Sequence, residues 1–579
     1  MLLDLYTPEG EALCGTPWQV YPRPQMKRSS YLNLNGKWEF TASAKAPTEY
    51  DQTIQIPFCP ESLLSLVQEH FPEGMPLWYR RYVTLPDSFH QGRVLLHVGA
   101  ADQILECYVN REKVGSHTGG YEAMTFDITD YLKDENEIVF KVTDDLRSNV
   151  LPYGKQVMER GGMWYTPISG IWQTVWMESV PLNYIAHLDI RCEGKQVVVS
   201  TGNEKDTGVV TVKTPEGIQT LFLEKGTVTI APPNPRLWRP EDPYLYEFTV
   251  EIGRDKVESY FALRTLEIKE IDEIPRLLLN GKPYFFHGLL DQGYWSDGLY
   301  TPAAPECYAR DIQEMKNLGF NTLRKHIKVE PEEFYYQCDK LGMIVWQDMV
   351  NNGDYAYIRD TVLPTIGLQK WPDKNMHKDE AARKAFMDGM KATVNQLKNH
   401  PCIVYWTIFN EGWGQFAGSD AYQMLKEMDD TRFIDTTSGW FRVCETDVDS
   451  RHIYFGPWWQ LRTSDKPLIL SEFGGYCYAE PDHIANPDKS YGYKAIDDKE
   501  ALLSELLALY AQRIEPAIEI GLCGAIYTQV SDVEDEINGL LTYDRRIVKI
   551  PAEPMQQLAK RLQAAIRGET QRTEIDISL

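Results

Sequence analysis

Between about residues 18 and 180 the chain alternates apolar and polar positions in short runs: NGKWEF, WYRRYVTL, RVLLHVG, QILECYVNREKVGSHTGGYEAMTFDI and NEIVFKVTDD. Gly, Pro, Asn or Asp ends each run. A period of two puts successive side chains on opposite faces, and turn residues at this spacing predict an antiparallel β-sandwich of jelly-roll type over residues 1–181. A second β-rich block, with VVVSTGN, GVVTVKT, TVTIAPP and YLYEFTVEI, predicts an immunoglobulin-like sandwich over 182–267, without an inter-sheet Cys-Trp-Cys signature. From residue 268 to 579 the period changes. Apolar runs such as YFFHGLLDQ, NTLRKHI, MIVWQDM, IVYWTIFNE, LILSEFG and GAIYTQVSD alternate with amphipathic stretches such as ECYARDIQEMKNLG and DEAARKAFMDGMKATVNQLKNH. About eight strand starts in such a βα alternation predict a (β/α)8 barrel. A doubly wound sheet would want a Gly-rich phosphate turn after its first strand, and HGLLDQG is not one.

Charge and composition narrow the function. The 84 acidic against 59 basic residues leave a net charge of -25, a field that repels nucleic acid and anionic lipid. No apolar run approaches the ~18 residues of a membrane span. The ten cysteines are scattered without a CxxC pair, which predicts reduced thiols and no zinc knuckle. The first residues, MLLDLYTPEGEALC, lack the basic and apolar regions of a secretory signal, so a cytoplasmic location is expected. Trp 15 and Tyr 33 supply many rings able to stack on sugar faces, although most will be core.

In a (β/α)8 barrel, chemistry sits where strands end at the carboxyl face. IVYWTIFNE runs into Asn410-Glu411, and PLILSEFGG runs into Glu472 before a glycine pair. Glutamate is a poor strand residue and costly to bury unpaired, so two at strand ends point to use. By count they lie on strands four and seven, across the barrel from each other. Glycoside hydrolysis with retention needs two carboxyls about 5–5.5 Å apart, one protonated to donate to the leaving oxygen and one ionised to attack the anomeric carbon.

The residues also resemble a known family. PRPQMKRSSYLNLNGKWEF and MWYTPISGIWQTVWME are similar to the sugar-binding sandwich of glycoside hydrolase family 2, and YFALRTLEI to the end of its immunoglobulin-like domain. GFNTLRKHIKVEP, FYYQCDKLGMIVWQD, WTIFNEGWG and LILSEFGG resemble blocks of the family's barrel. The resemblance implies an exo-acting β-glycosidase that removes a terminal sugar from a small oligosaccharide or glycoside by double displacement, without a redox cofactor; no cofactor or metal site is expected, since the supporting cation site of some relatives does not carry over to these residues. Glu411 would be general acid/base and Glu472 nucleophile. Asn410 would bond the sugar 2-hydroxyl, Tyr454 the nucleophile, and Arg324 would keep Glu472 ionised.

Departures from the family pattern matter too. Leu290-Asp291-Gln292 stands where relatives cleaving galactosides have Asn-Arg-His. In Arg324-Lys325-His326-Ile327 the expected histidine position holds Ile327, while His326 takes a serine's place. The Asn-x-Lys that reads a glucuronide carboxylate is replaced by Asn538-Gly539-Leu540. These changes point away from ordinary β-galactosidase and β-glucuronidase activity. Asp291, Gln292, His326, Trp346, Asp348, Trp458 or its neighbour Trp459, Gln529 and Asp532 are the remaining candidates to hold the sugar, with Lys328 a weaker one for an anionic substituent. The acidic DVEDE run lacks ligand spacing and reads as a hydrated loop. A carbohydrate-binding protein without turnover and a transglycosylase are the rivals, and a homo-oligomer stays open.

Overall fold

The computed structural model describes residues 2–363, 373–442, 444–456, 458 and 461–569. The first sandwich pairs a six-stranded and a four-stranded antiparallel sheet. Alternation in Asn136–Thr143 buries every second residue, and Trp38 stacks on Phe140 between the sheets with centroids 5.5 Å apart. The second sandwich has sheets of three and four strands, closed over Val210, Val212, Phe248 and Val250. The first residues also reach the barrel. Thr7 donates through N and Oγ1 to Asp297 Oδ2 at 2.8 and 2.6 Å, and Trp18 Nε1 donates to Pro302 O at 2.8 Å.

Eight parallel strands follow: β1 Phe286–Asp291, β2 Thr322–Lys325, β3 Ile344–Asp348, β4 Ile403–Asn410, β5 Phe433–Ser438, β6 Asp449–Ile453, β7 Leu468–Gly474 and β8 Leu522–Thr528. Ladders join β5-β4-β3-β2-β1-β8-β7-β6 in that order. Strands buried on both faces read as the continuous apolar runs that the sequence shows. Helices Glu306–Asn317, Glu332–Leu341, Glu380–Leu397, Gly418–Met428, Lys499–Leu509 and Ala552–Ile566 cover the outside; among the described residues none lies between β5 and β6 or between β6 and β7. The β5–β6 seam carries no ladder among the described residues, and side chains cross it: Ser438 Oγ on β5 lies 2.9 Å from His452 Nε2 on β6.

Contacts from both sandwiches tie them to the barrel. Arg264 donates to Pro401 O and Ile403 O, both at 2.7 Å, pinning the immunoglobulin-like domain to the start of β4. The loop at residues 150–167 of the first sandwich leans on the barrel mouth. Tyr153 N donates to Asn351 O at 3.1 Å, Thr166 N to Glu534 Oε1 at 2.9 Å, and Tyr165 OH to Glu536. No helix among the described residues is long and apolar enough to cross a membrane.

Candidate active site

Local backbone aims the two glutamates. Strand β4 is buried throughout and stops at Asn410. Glu411 then takes a left-handed φ of 51° and donates its N–H to Ser438 O at 2.9 Å, turning its side chain over the mouth. A non-glycine residue in this region costs energy, and such strain concentrates at functional positions. In β7 the register slips against β8 between Leu470 and Phe473, and β6 slips against β7 between Arg451 and His452. Irregularities of this kind re-aim a side chain, here Glu472. Gly474 closes the strand at φ 84°, where a Cβ would come within 2.2 Å of the Tyr527 ring.

Glu411, His452 and Glu472 each present one oxygen or nitrogen, and these atoms lie within 4.8 Å of one another. These three atoms are close enough together to hold a cation. His452 Nδ1 is 2.7 Å from Glu411 Oε1 and 3.6 Å from Glu472 Oε2. The fully buried Arg324 organises the floor: Nη1 donates to Glu472 Oε1 at 3.0 Å and to Ser471 O at 3.1 Å, Nη2 donates to Asn410 Oδ1 at 2.8 Å, and Nε donates to Asp348 at 3.0 Å. Tyr454 OH donates to Glu472 Oε2 at 2.7 Å and lies 2.9 Å from Thr528 Oγ1, its ring stacked on Tyr493 at 3.6 Å. Burial pushes the Glu472 carboxyl up, but His452, Arg324, His326 and the Tyr454 hydroxyl together hold it well below the usual carboxylate range. Glu472 is therefore an ionised carboxylate at neutral pH. Asn410 gives its amide oxygen to Arg324, which turns its NH2 group outward as a donor.

The other candidates divide. His326 and Gln292 are buried at the mouth, and Gln292 Nε2 donates to Gln529 Oε1 at 2.9 Å. That pairing leaves Gln292 Oε1 and Gln529 Nε2 buried without a partner among the described residues, two groups that a ligand could satisfy. Asp348 departs from its expected role as a hydroxyl acceptor: both its oxygens are taken, one by Arg324 and one by His326 Nδ1 at 2.8 Å, so it orients those two side chains. Trp346 is fully buried inside the barrel, stacked on Tyr405 at 4.2 Å, and is a packing residue. Asp291 follows the inward Leu290 and points to the helical layer, where it pairs with Lys325 at 2.6 Å. Lys328 is spent on Glu330 and the carbonyls of Gly293 and Tyr300. Asp532 clips its own loop through Lys549 at 2.7 Å and Gly539 N at 2.9 Å. Trp458 lies 5.8 Å from the Arg513 guanidinium on the outer helical layer, and Trp459 falls outside the described residues.

Several site residues escape sequence reasoning. His452 stands two before Tyr454, and shared strand parity was a usable signal. Lys155 and Trp164 come from the first sandwich, in a segment whose pattern gives no hint of the barrel. Lys155 is about nine-tenths buried, lies 5.3 Å from the Trp164 ring centre, and its charge acts on both His326 and Glu536. The DVEDE run, expected as a hydrated loop, is buried: Glu534 and Glu536 brace the sandwich loop, and burial raises the pKa of each.

Family models describing the sugar-binding domain, the central domain and the TIM barrel domain of glycosyl hydrolases family 2 match residues 67–181, 185–264 and 270–549. Among curated relatives, a β-galactosidase of Thermoanaerobacter pseudethanolicus is 25% identical over 61% of this chain and 46% of its own length. A β-glucuronidase of Bacteroides fragilis is 22% identical over 60% of this chain and 52% of its own length. The chain thus spans about half the length of these relatives. Of solved structures, an uncultured Clostridium β-glucuronidase superposes with TM-score 0.72 at 18% identity, covering 94% of this chain and 99% of its own. A family 2 β-galacturonidase from Eisenbergiella tayi gives 0.65 at 17%, covering 94% and 99%. Taken with the two sandwiches and the eight-stranded parallel barrel, the three consecutive matches establish that this chain belongs to glycoside hydrolase family 2.

Proposed function

We propose that the protein is a retaining, exo-acting β-glycosidase in which Glu411 is the general acid/base and Glu472 the nucleophile. The observation that carries this reading is the closeness of the two carboxylates at one barrel mouth. An inverting enzyme needs about 6.5–9.5 Å between them to admit a water, and a retaining one about 5–5.5 Å. Glu472 attacks the anomeric carbon while Glu411 protonates the departing oxygen, giving a glycosyl-enzyme. Glu411 then takes a proton from water, whose oxygen displaces Glu472. Arg324 and Tyr454 hold the nucleophile, and the Asn410 NH2 meets the 2-hydroxyl, a bond that strengthens as positive charge develops on the ring. The sandwich loop that covers one side of the mouth supports exo action on a chain end.

Relatives carry the names β-galactosidase, β-glucuronidase and β-galacturonidase, so the sugar is proposed only as a β-linked pyranoside of that range. The ten free thiols fit a reducing, cytoplasmic setting. A panel of 4-nitrophenyl glycosides followed by proton NMR of the first-formed sugar tests the reading. Release of the β-anomer before mutarotation supports it, and first release of the α-anomer contradicts it. Transglycosylation shares the same intermediate; products formed with an added alcohol acceptor separate the two.

A further inference from the structure

We infer that His452 is a positioning residue for the proton donor: by holding Oε1 of Glu411 it fixes Oε2 as the oxygen that carries the transferable proton. The inference rests on the β-glycosidase reading above. The imidazole is completely buried, on β6, with Nδ1 2.7 Å from Glu411 Oε1. Its other nitrogen, Nε2, faces Ser438 Oγ at 2.9 Å and Arg324 Nη1 at 3.5 Å. A carboxylate oxygen has no proton of its own to give, so the 2.7 Å contact is closed by a proton on Nδ1, which is donated to Glu411 Oε1. The charged and polar groups around the ring are Glu411 after β4, Asp435 and Ser438 on β5, Arg324 on β2 and Glu472 on β7, with the Trp440 ring 5.6 Å away.

The β5 end packs closely on the ring. At Gly439 a Cβ would lie 2.7 Å from the imidazole, so only a glycine lets the seam close over it. With Oε1 accepting from Nδ1–H, a protonated Glu411 carries its O–H on Oε2, the oxygen left free for the leaving group. After transfer the same N–H holds the carboxylate, and Oε2 is again the oxygen that takes the proton from water. Proton count is conserved through both steps, because His452 keeps its own.

Nδ1 is also 3.6 Å from the nucleophile, so the test must tell the two carboxylates apart. Phenyl glycosides need a proton on the leaving oxygen, whereas 2,4-dinitrophenyl glycosides depart without one. Wild type, His452→Ala and His452→Asn are compared on both, as β-D-galactosides and β-D-glucuronides. Asparagine can place an amide N–H where Nδ1 stood. His452→Ala is expected to lose about 100-fold in kcat/KM on the phenyl substrate and about threefold or less on the dinitrophenyl one, with His452→Asn recovering most of the loss. An equal loss on both substrates, or no recovery with asparagine, overturns the inference. Labelling of Glu472 in His452→Ala by a 2-deoxy-2-fluoro glycoside would show that the glycosidase reading survives even where the His452 role does not.

Discussion

At the scale of single residues, the two glutamates differ in what surrounds them. Glu472 is enclosed by Arg324, Tyr454 and His452, whereas Glu411 touches His452 and keeps part of its side chain open to the mouth. Removing the acid should therefore spare the nucleophile. Glu411→Ala is expected to hydrolyse dinitrophenyl glycosides at near wild-type glycosylation rates, lose about 100-fold or more on phenyl glycosides, and yield a β-glycosyl azide when azide is added. Wild-type behaviour on both substrates would remove Glu411 from the chemistry. The depressed pKa of Glu472 has a sign that can be checked. A carboxylate held below its ordinary range stays charged as the solution is acidified, so activity should persist on the acid side until pH falls through that lowered value. Arg324→Met takes away a fixed cation and should move the acid limb of kcat/KM upward by about one pH unit or more, measured against Arg324→Lys, which keeps the charge. An unmoved limb in Arg324→Met would show that the guanidinium only supports packing.

Elements decide where those residues point, and here the sequence was legible in part. Eight apolar runs ending in polar residues identified the strands, and Asn410-Glu411 and Glu472 at the ends of β4 and β7 marked the mouth. What the runs could not show was side-chain direction beyond strict alternation. Asp291 and Trp346 looked like mouth residues by position along the chain; one faces the helices and the other fills the barrel interior. The register slips at His452 and Glu472 were equally hidden, because a bulge leaves no signature in an apolar run. Gly474 offers a direct probe of the β7 end. Alanine there meets the Tyr527 ring and an unfavourable positive φ. Gly474→Ala should lower stability by about 1–3 kcal/mol in denaturant unfolding and reduce kcat more than KM. Unchanged stability would mean that the strand end relaxes freely.

For the molecule as a whole, the first sandwich packs against the candidate site. Its residues 150–167 stand on Asn351, Glu534 and Glu536, and they bring Lys155, 5.3 Å from the Trp164 ring, to where its charge acts on His326 and Glu536. Nothing local in GKQVMERGGMWYTP announces this, since contact between segments hundreds of residues apart is set by tertiary packing. Lys155→Met should shift the ratio of kcat/KM against a β-D-glucuronide, relative to a β-D-galactoside, by about tenfold, the worth of one charge-assisted hydrogen bond at ~1.5 kcal/mol. A constant ratio would show that the ammonium only balances Glu536. All these expectations depend on a covalent bond between sugar and Glu472. Incubation with an activated 2-deoxy-2-fluoro β-glycoside, followed by peptide mass spectrometry, looks for that bond itself. The sugar mass should appear on the peptide containing Glu472 and be absent in Glu472→Gln. A label on Glu411, or turnover of the natural glycoside by Glu472→Gln at the wild-type rate, would contradict it.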